Sequence, residues 1–311
     1  MIKSIVLFVL HLFIAAWAYG QLHWQNVDTA FGPLPTGFHV YYSNDSLDGE
    51  PFKAYYAMAD LTSRHLHFDT DTSLGRRLSP TQFYQRNHQP LLVVNSTFFS
   101  FASNQNLNLV IKNGKMLGYN IHALAGKGRD TLTYRHAFNG AIGISKKGRA
   151  DIAWIYSDSN RRFALASQRV IPFWKDSFAQ IKHLPAGLKK WKMKTAVAGG
   201  PVLLQNGLPA ISNNEEQKFA GKAIADKHPR TLMGYTAHRQ LIVMVIEGRR
   251  KGIAAGATLT QAAKLLQALG CVEALNLDGG GSSCMLINGK HTIYPSDKGE
   301  ERRVPAVFII K

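Results

Sequence analysis

The chain has 311 residues, 45% hydrophobic and 18% charged, with 27 Gly, 12 Pro and 2 Cys. Such a composition supplies a substantial core for one large domain or two, and it excludes a disordered chain, collagen, a coiled coil and a disulfide scaffold. Lys and Arg outnumber Asp and Glu by 37 to 20, and the net charge of +17 favours anionic partners without choosing among them.

The N-terminus opens with Lys3, an apolar stretch over 5–18 interrupted by His11, and the small residues Ala16 and Ala18. It reads as a signal peptide over 1–20, because a stretch of roughly 14 residues falls short of the roughly 20 that span a bilayer. The expectation is a secreted or periplasmic protein with no stable membrane insertion after cleavage. Genomic nucleic acid is then not its partner, and anionic material of the envelope or the exterior is. An oxidising compartment permits a Cys271–Cys284 bond, but two free buried thiols fit equally. Neither has redox spacing or a neighbouring His, so no catalytic role is assigned.

Residues 21–50 read as an extended lead-in with turns at Gly32-Pro33 and Asn44-Asp45. Strand patterns follow at 52–58, 91–94, 107–111, 141–144, 152–156, 195–198, 202–204, 231–235, 241–246, 274–277, 284–287 and 304–310. A helix is expected over 80–86, capped by Ser79. A second is expected over 259–269, with a Thr258/Gln261 capping box, an apolar stripe of Ala262, Leu265, Leu266 and Leu269, and Gly270 after its end. The polar segments 175–194 and 212–227 read as loop or short helix over the site. The expected fold class is α+β, with mixed, mainly antiparallel sheets and few helices. Residues 21–90 form lead-in strands or a subdomain, and 91–311 a catalytic domain.

Three segments repeat one pattern. Asn113-Gly114, Asn206-Gly207 and Asn288-Gly289 each end an apolar strand with the strongest short hairpin signal. Each follows a small or polar cluster: Asn95-Ser96-Thr97, Gly199-Gly200, or the stretch from Asp278 to Ser283. The pattern predicts hairpins whose preceding loops converge on one site.

The sharpest chemistry lies in Asn276-Leu277-Asp278-Gly279-Gly280-Gly281-Ser282-Ser283. A strand ends on a carboxylate, and three glycines allow positive φ and close approach, so successive N–H groups are expected to form an anion nest beside two hydroxyls. The spacing matches neither a P-loop, a dinucleotide fingerprint nor a nucleophile elbow. In His228-Pro229-Arg230, proline stiffens the approach to a strand where Arg can grip phosphate, although taken alone the segment reads as a turn. Glu247-Gly248-Arg249 repeats the combination of acid, glycine and arginine, and an ordinary ion pair explains it equally well. Asn95 at a strand end reads as a ligand for sugar hydroxyls or as a turn, and Gly199-Gly200 as a close approach or a bulge. The 12 His are dispersed, so no metal ligand set is indicated and no cofactor is expected, a structural divalent ion being left open.

Taken in order, these segments resemble the phosphodiester glycosidase family, most densely over 196–310. Ala198-Gly199-Gly200-Pro201, His228-Pro229-Arg230-Thr231, Glu247-Gly248-Arg249, Asn276 to Ser283 and Glu301-Arg302 carry the resemblance, and Val93-Val94-Asn95 with Phe98-Phe99 extends it upstream. Ser96-Thr97 stands where the family has smaller residues, and Glu247 where it usually has Asp. The resemblance implies a hydrolase acting on a sugar-1-phosphodiester or phosphoglycan. Its catalytic group would be Asp278, Glu247, Arg230 and His228, and its substrate-binding group Asn95, Gly199, Gly200, Arg249, Gly279, Gly280, Gly281, Ser282, Ser283 and Arg302. The alternatives are a phosphoesterase cleaving P–O and a noncatalytic binder of anionic polysaccharide.

Overall fold

The structure, a computed structural model, describes residues 22–126 and 130–311. The expected signal peptide lies outside the described residues. No described helix is long and apolar enough to cross a membrane.

Three large sheets carry the architecture. An eight-stranded sheet is centred on Ala54–Asp60, Gln240–Ile246, Arg230–Thr236 and Cys271–Asn276. A seven-stranded sheet is built around Ala150–Tyr156, Asn139–Ile144 and Thr195–Ala198, and a five-stranded one around Leu92–Asn95, Ala306–Ile310 and Phe68–Thr72. Every described pairing inside them is antiparallel, so the expectation of mixed sheets is corrected. The cause is local: tight turns such as that between Tyr235 and Leu241 return the chain at once, and no helical crossover makes a parallel neighbour.

Period-two alternation assigns each face. Along Arg230–Thr236 and Gln240–Ile246, Met233, Val243 and Val245 enter a central core, which the seven- and five-stranded sheets close with Ile142, Trp154, Val94 and Phe308. Leu232, Ile242, Met244 and Ile246 point the other way, onto helix Leu259–Ala268. That helix starts where its capping box predicts, with Thr258 accepting from Gln261 N–H at 3.1 Å and Gln261 returning the bond to Thr258 N–H at 2.9 Å. Helix Pro80–Arg86 begins with the same device from Ser79 and Gln82 and covers the five-stranded sheet through Phe83.

Strands Phe38–Ser43 and Ala54–Asp60 belong to the eight-stranded sheet, and Phe68–Thr72 to the five-stranded one, so the described strands ahead of residue 90 share sheets with the rest of the chain. The three Asn-Gly turns each close an edge hairpin on a different sheet. At Asn113, Asn206 and Asn288 φ is 49°, 53° and 46°, and at the following glycines 77°, 77° and 75°, the left-handed pair that a type I′ turn requires.

Candidate active site

The loops ahead of those hairpins meet, as their pattern predicts. Asp278 N–H donates to Ser96 O at 2.9 Å, and Gly200 N–H to Asn276 O at 2.8 Å. Asn95 joins the set from below: Nδ2 donates to Asp278 O at 2.6 Å, while Oδ1 accepts from Thr231 Oγ1 at 2.8 Å and Cys284 N–H at 3.1 Å. Asn95 is fully buried and both ends of its amide are engaged within the protein, so it fastens three loops. The Ser283 hydroxyl lies 3.3 Å from that of Thr231 and belongs to the same fastening.

The glycine run folds differently from the expected nest. Gly280–Ser282 makes a turn of 3-10 helix, and the N–H groups of Gly280, Ser282 and Ser283 donate to the carbonyls of Pro229, Gly279 and Gly280. Closing that turn uses the amides the nest needed. Only Gly280 has the left-handed φ, 61°. Its neighbours serve close approach: a Cβ on Gly279 would lie 2.8 Å from Pro229 O, and one on Gly281 would fall inside the Arg302 guanidinium.

Positive charge at the loop therefore comes from side chains. Arg302 packs on Gly281, and Arg249 would meet a Cβ on Gly280 at 3.0 Å. Arg302 is aimed by Asp297, whose Oδ2 accepts from Nε at 2.8 Å, and lies 5.2 Å from the Phe101 ring. Arg230, almost fully buried, donates to Ala257 O and Asp226 O at 2.9 and 3.1 Å, which leaves its remaining N–H groups for a ligand. Burial and Arg249 lower it to about 10, still a cation at neutral pH.

Asp278 lies beside Arg302, and burial raises it to about 7, while Arg302 and the Gly279 N–H favour its charged form. Its Oδ2 is enclosed without a hydrogen-bond partner, and so are Ser282 Oγ, Ser96 Oγ, Thr97 Oγ1, Asn276 Oδ1 and His228 Nδ1. These are six of the nine such side-chain atoms among the described residues, gathered on the converging loops. Buried polar atoms are rarely left unpaired, so this concentration marks a place for a polar ligand. Burial, then Arg230 and Arg249, lower His228 and keep its imidazole neutral at pH 7.

Glu247 is buried and engaged on both oxygens: Oε1 accepts from Arg250 Nη1 at 2.6 Å and Oε2 from Tyr294 N–H at 3.0 Å. Glu247 is thus in an ion pair, but with Arg250 rather than with Arg249 of its own motif. Gly199 admits Asn276 O, which would lie 2.7 Å from a Cβ, and Gly200, with φ 115°, leaves the space that Glu216 and Lys218 fill.

Lys218 and Glu216 lie in the polar segment 212–227, where sequence pattern singles out neither. Glu216 accepts from Gly140 N–H, Val202 N–H, Trp154 Nε1 and Ser212 Oγ at 2.8, 2.8, 3.1 and 2.6 Å. Burial raises its carboxyl against those donors and Lys218. Burial lowers Lys218 to about 8, with Glu216 opposing, and its ammonium lies 5.0 Å from the Phe98 ring. An acid and a lysine two residues apart in a polar stretch form no motif, so nothing local announced them.

Cys271 and Cys284 are both free and buried. Cys284 does have a histidine neighbour in space, His291 Nδ1 at 3.8 Å, and His291 Nε2 is 3.3 Å from Glu301 Oε1. Thiol, imidazole and carboxylate are zinc-type ligands. Here Glu301 already accepts from Thr81 Oγ1 at 2.7 Å and Thr81 N–H at 3.1 Å, a set of mutual hydrogen bonds that uses the carboxylate without an ion.

Fold and loops together define a class: antiparallel sheets whose ends gather a carboxyl group, Asp278, beside Arg302, on a glycine turn that Arg302, Arg249 and Arg230 flank. The phosphodiester glycosidase profile matches residues 88–311, and the chain belongs to that family. Two curated relatives carry the name N-acetylglucosamine-1-phosphodiester alpha-N-acetylglucosaminidase. The bovine one is 33% identical over 87 residues, 26% of this chain and 16% of its own length; the mouse one is 38% identical over 94 residues, 30% and 18%. The matched stretches thus span less than a fifth of those relatives. The catalytic domain of the zebrafish enzyme of that name, auto-inhibited by its pro-peptide, shares the fold at a TM-score of 0.63 and 19% identity, over 93% of this chain and 87% of that one. A hypothetical protein from Synechocystis matches at 0.65 and 15%, over 93% and 68%.

Proposed function

We propose that the protein is an exported hydrolase that cleaves the anomeric C–O bond of a sugar-1-phosphodiester in an envelope or extracellular glycan. Family membership supports the reaction class, as does the name of the bovine and mouse relatives, which specifies a sugar-1-phosphodiester. The observation that carries it is the concentration of unpaired polar atoms around Asp278, beneath Arg302 and Arg249.

The chemistry needs little more. The leaving phosphate monoester is anionic and weakly basic, so charge stabilisation matters more than a strong general acid. Arg302 and Arg249 hold the phosphate over the glycine turn, and Arg230 supports it from the strand below. Ionised Asp278 accepts a proton from water as the water oxygen bonds to the anomeric carbon. The C–O bond breaks with its electron pair going to the phosphate oxygen. A carboxyl group near 7 suits a base working near neutrality. Neutral His228 relays a proton, Ser282 orients the substrate, and Glu247 holds the Tyr294 loop in place.

Hydrolysis of purified protein's sugar-1-phosphodiester substrates in oxygen-18 water tests the reading. Label in the released sugar is expected; label in the phosphate means P–O cleavage and overturns it.

A further inference from the structure

The edge of the seven-stranded sheet carries a groove that shares no lining residue with the loops around Asp278. It encloses about 760 Å³ between the Asn113-Gly114 turn, residues 145–147, residues 161–163 and Lys192-Met193. Lys115, Lys146, Lys147, Arg161, Arg162 and Lys192 line it, all exposed, and no carboxylate does. A second cleft of about 350 Å³ runs on from Lys146 and Lys147 to Lys194 and Arg239, again with no acid in its walls. The whole chain has 20 acids for 37 bases, so a run of eight bases without one acid is a local excess beyond the general positive surface.

Most of the charges in the larger groove are not neutralised by an acid. Arg161 pairs with Asp158 at 3.2 Å, while Lys115, Lys146, Lys147, Arg162 and Lys192 have no ion pair among the described residues. Like charges held along a concave wall raise the local positive potential, which a polyanion relieves. Nucleic acid is disfavoured because one of the two aromatic rings lining the groove is covered: Arg162 and Lys192 lie over the Phe163 ring at 5.2 and 5.9 Å, where a base would stack, which leaves Tyr119 as the single platform.

We propose that this groove binds a linear glycan bearing phosphate groups along its chain. It lies at the Ile144 and Thr195 ends of strands whose Gly140 and Ala198 ends lead to the Asp278 loops, and so retains a polymer long enough to run from one end of the sheet to the other. The inference deepens the functional reading above. Its test measures binding without turnover, so the two fail separately.

The probe is a poly(glycerol phosphate) chain, offered to the wild type, to a Lys115→Glu/Lys146→Glu/Lys147→Glu variant, and to a control with Lys182, Lys189 and Lys190 changed to Glu. The control lysines are equally exposed and lie outside the groove. The groove variant is expected to bind about 30-fold more weakly or worse, with the slope of log K against log salt reduced by about two to three, since each neutralised phosphate contributes about 0.7 to 0.9. The control is expected to lose less than about threefold. Cleavage of a small soluble sugar phosphodiester stays at the wild-type rate in both. Equal weakening in both variants overturns the groove. Single-stranded DNA bound as tightly as the glycerol phosphate polymer, with the same loss in the groove variant, overturns the glycan.

Discussion

Asn95 and Asp278, 183 residues apart in sequence, are joined by a 2.6 Å hydrogen bond from the Asn95 amide to the Asp278 carbonyl. The bond fixes the backbone of the acid and leaves its carboxyl free. The same asparagine takes a hydroxyl from Thr231, so the strand that carries Arg230 is fixed to the same point. Asn95→Ala leaves the Asp278 carbonyl and the Cys284 and Thr231 donors without their partner, in a fully buried position. A stability loss of about 2 to 4 kcal/mol is expected, read as a lower denaturation midpoint, together with weaker catalysis. An unchanged midpoint would show that the loops hold together without it.

Asp278→Asn separates chemistry from stability. The folded acid titrates at about 7 against an ordinary 3.8, so its ionisation opposes folding. The penalty is absent below about pH 4, grows between the two values and is complete above about 7. The variant should therefore be more stable than wild type at pH 8, by about 2 kcal/mol. That is half of the roughly 4 the full shift represents, because the carboxyl is part-accessible. The gain should vanish at pH 4. Turnover should fall at least about 1000-fold. Wild-type turnover in this variant would remove Asp278 from the mechanism.

The pH profile follows from the same group. With Asp278 as base, kcat/KM should fall tenfold per unit below about pH 7. Arg302 favours the ionised acid, so Arg302→Gln should move that limb to higher pH as well as weaken binding. A limb that stays in place would show that the acid titrating in catalysis is not beside Arg302.

Glu247 and Arg250 form a pair with one member buried. Glu247→Gln should destabilise by about 3 kcal/mol, as expected when a buried ion pair loses one partner, and the double change to Gln should cost less than the sum of the singles. Abolished turnover with an unchanged melting temperature would instead place Glu247 in the chemistry.

Gly281→Ala puts a methyl into the space of the Arg302 guanidinium, whereas Gly207→Ala meets nothing within 4 Å and only strains a turn at φ 77°. The first should raise KM at least about tenfold by displacing the arginine. The second should cost about 1 kcal/mol of stability and leave kinetics alone. Equal kinetic effects would count against Arg302 as a phosphate ligand.

Much of this was written in local patterns. The helix at 80–86 announced itself through its Ser79 cap and that at 259–268 through a capping box, and the Asn-Gly turns through the one backbone geometry those pairs favour. Strand Phe68–Thr72 gave no such sign: Asp69, Thr70 and Asp71 break the apolar alternation, and it is held by Thr70 donating to Ile111 O and Asp71 accepting from Asn87, partners far along the chain. The glycine run fixed the place of the acid but misled about the anion site, because whether an amide is free depends on the turn the loop closes. Lys218 acquires its environment from Glu216 and Phe98, contacts that sequence spacing does not encode.

Cys271 and Cys284 enter no covalent link, and burial pushes the Cys271 thiol up to about 12, far from its reactive form. Dithiothreitol therefore has no bond here to break. Preparations made in a reducing bacterial cytosol should match those made by secretion, and thiol reagents should leave the native protein unlabelled until it is denatured.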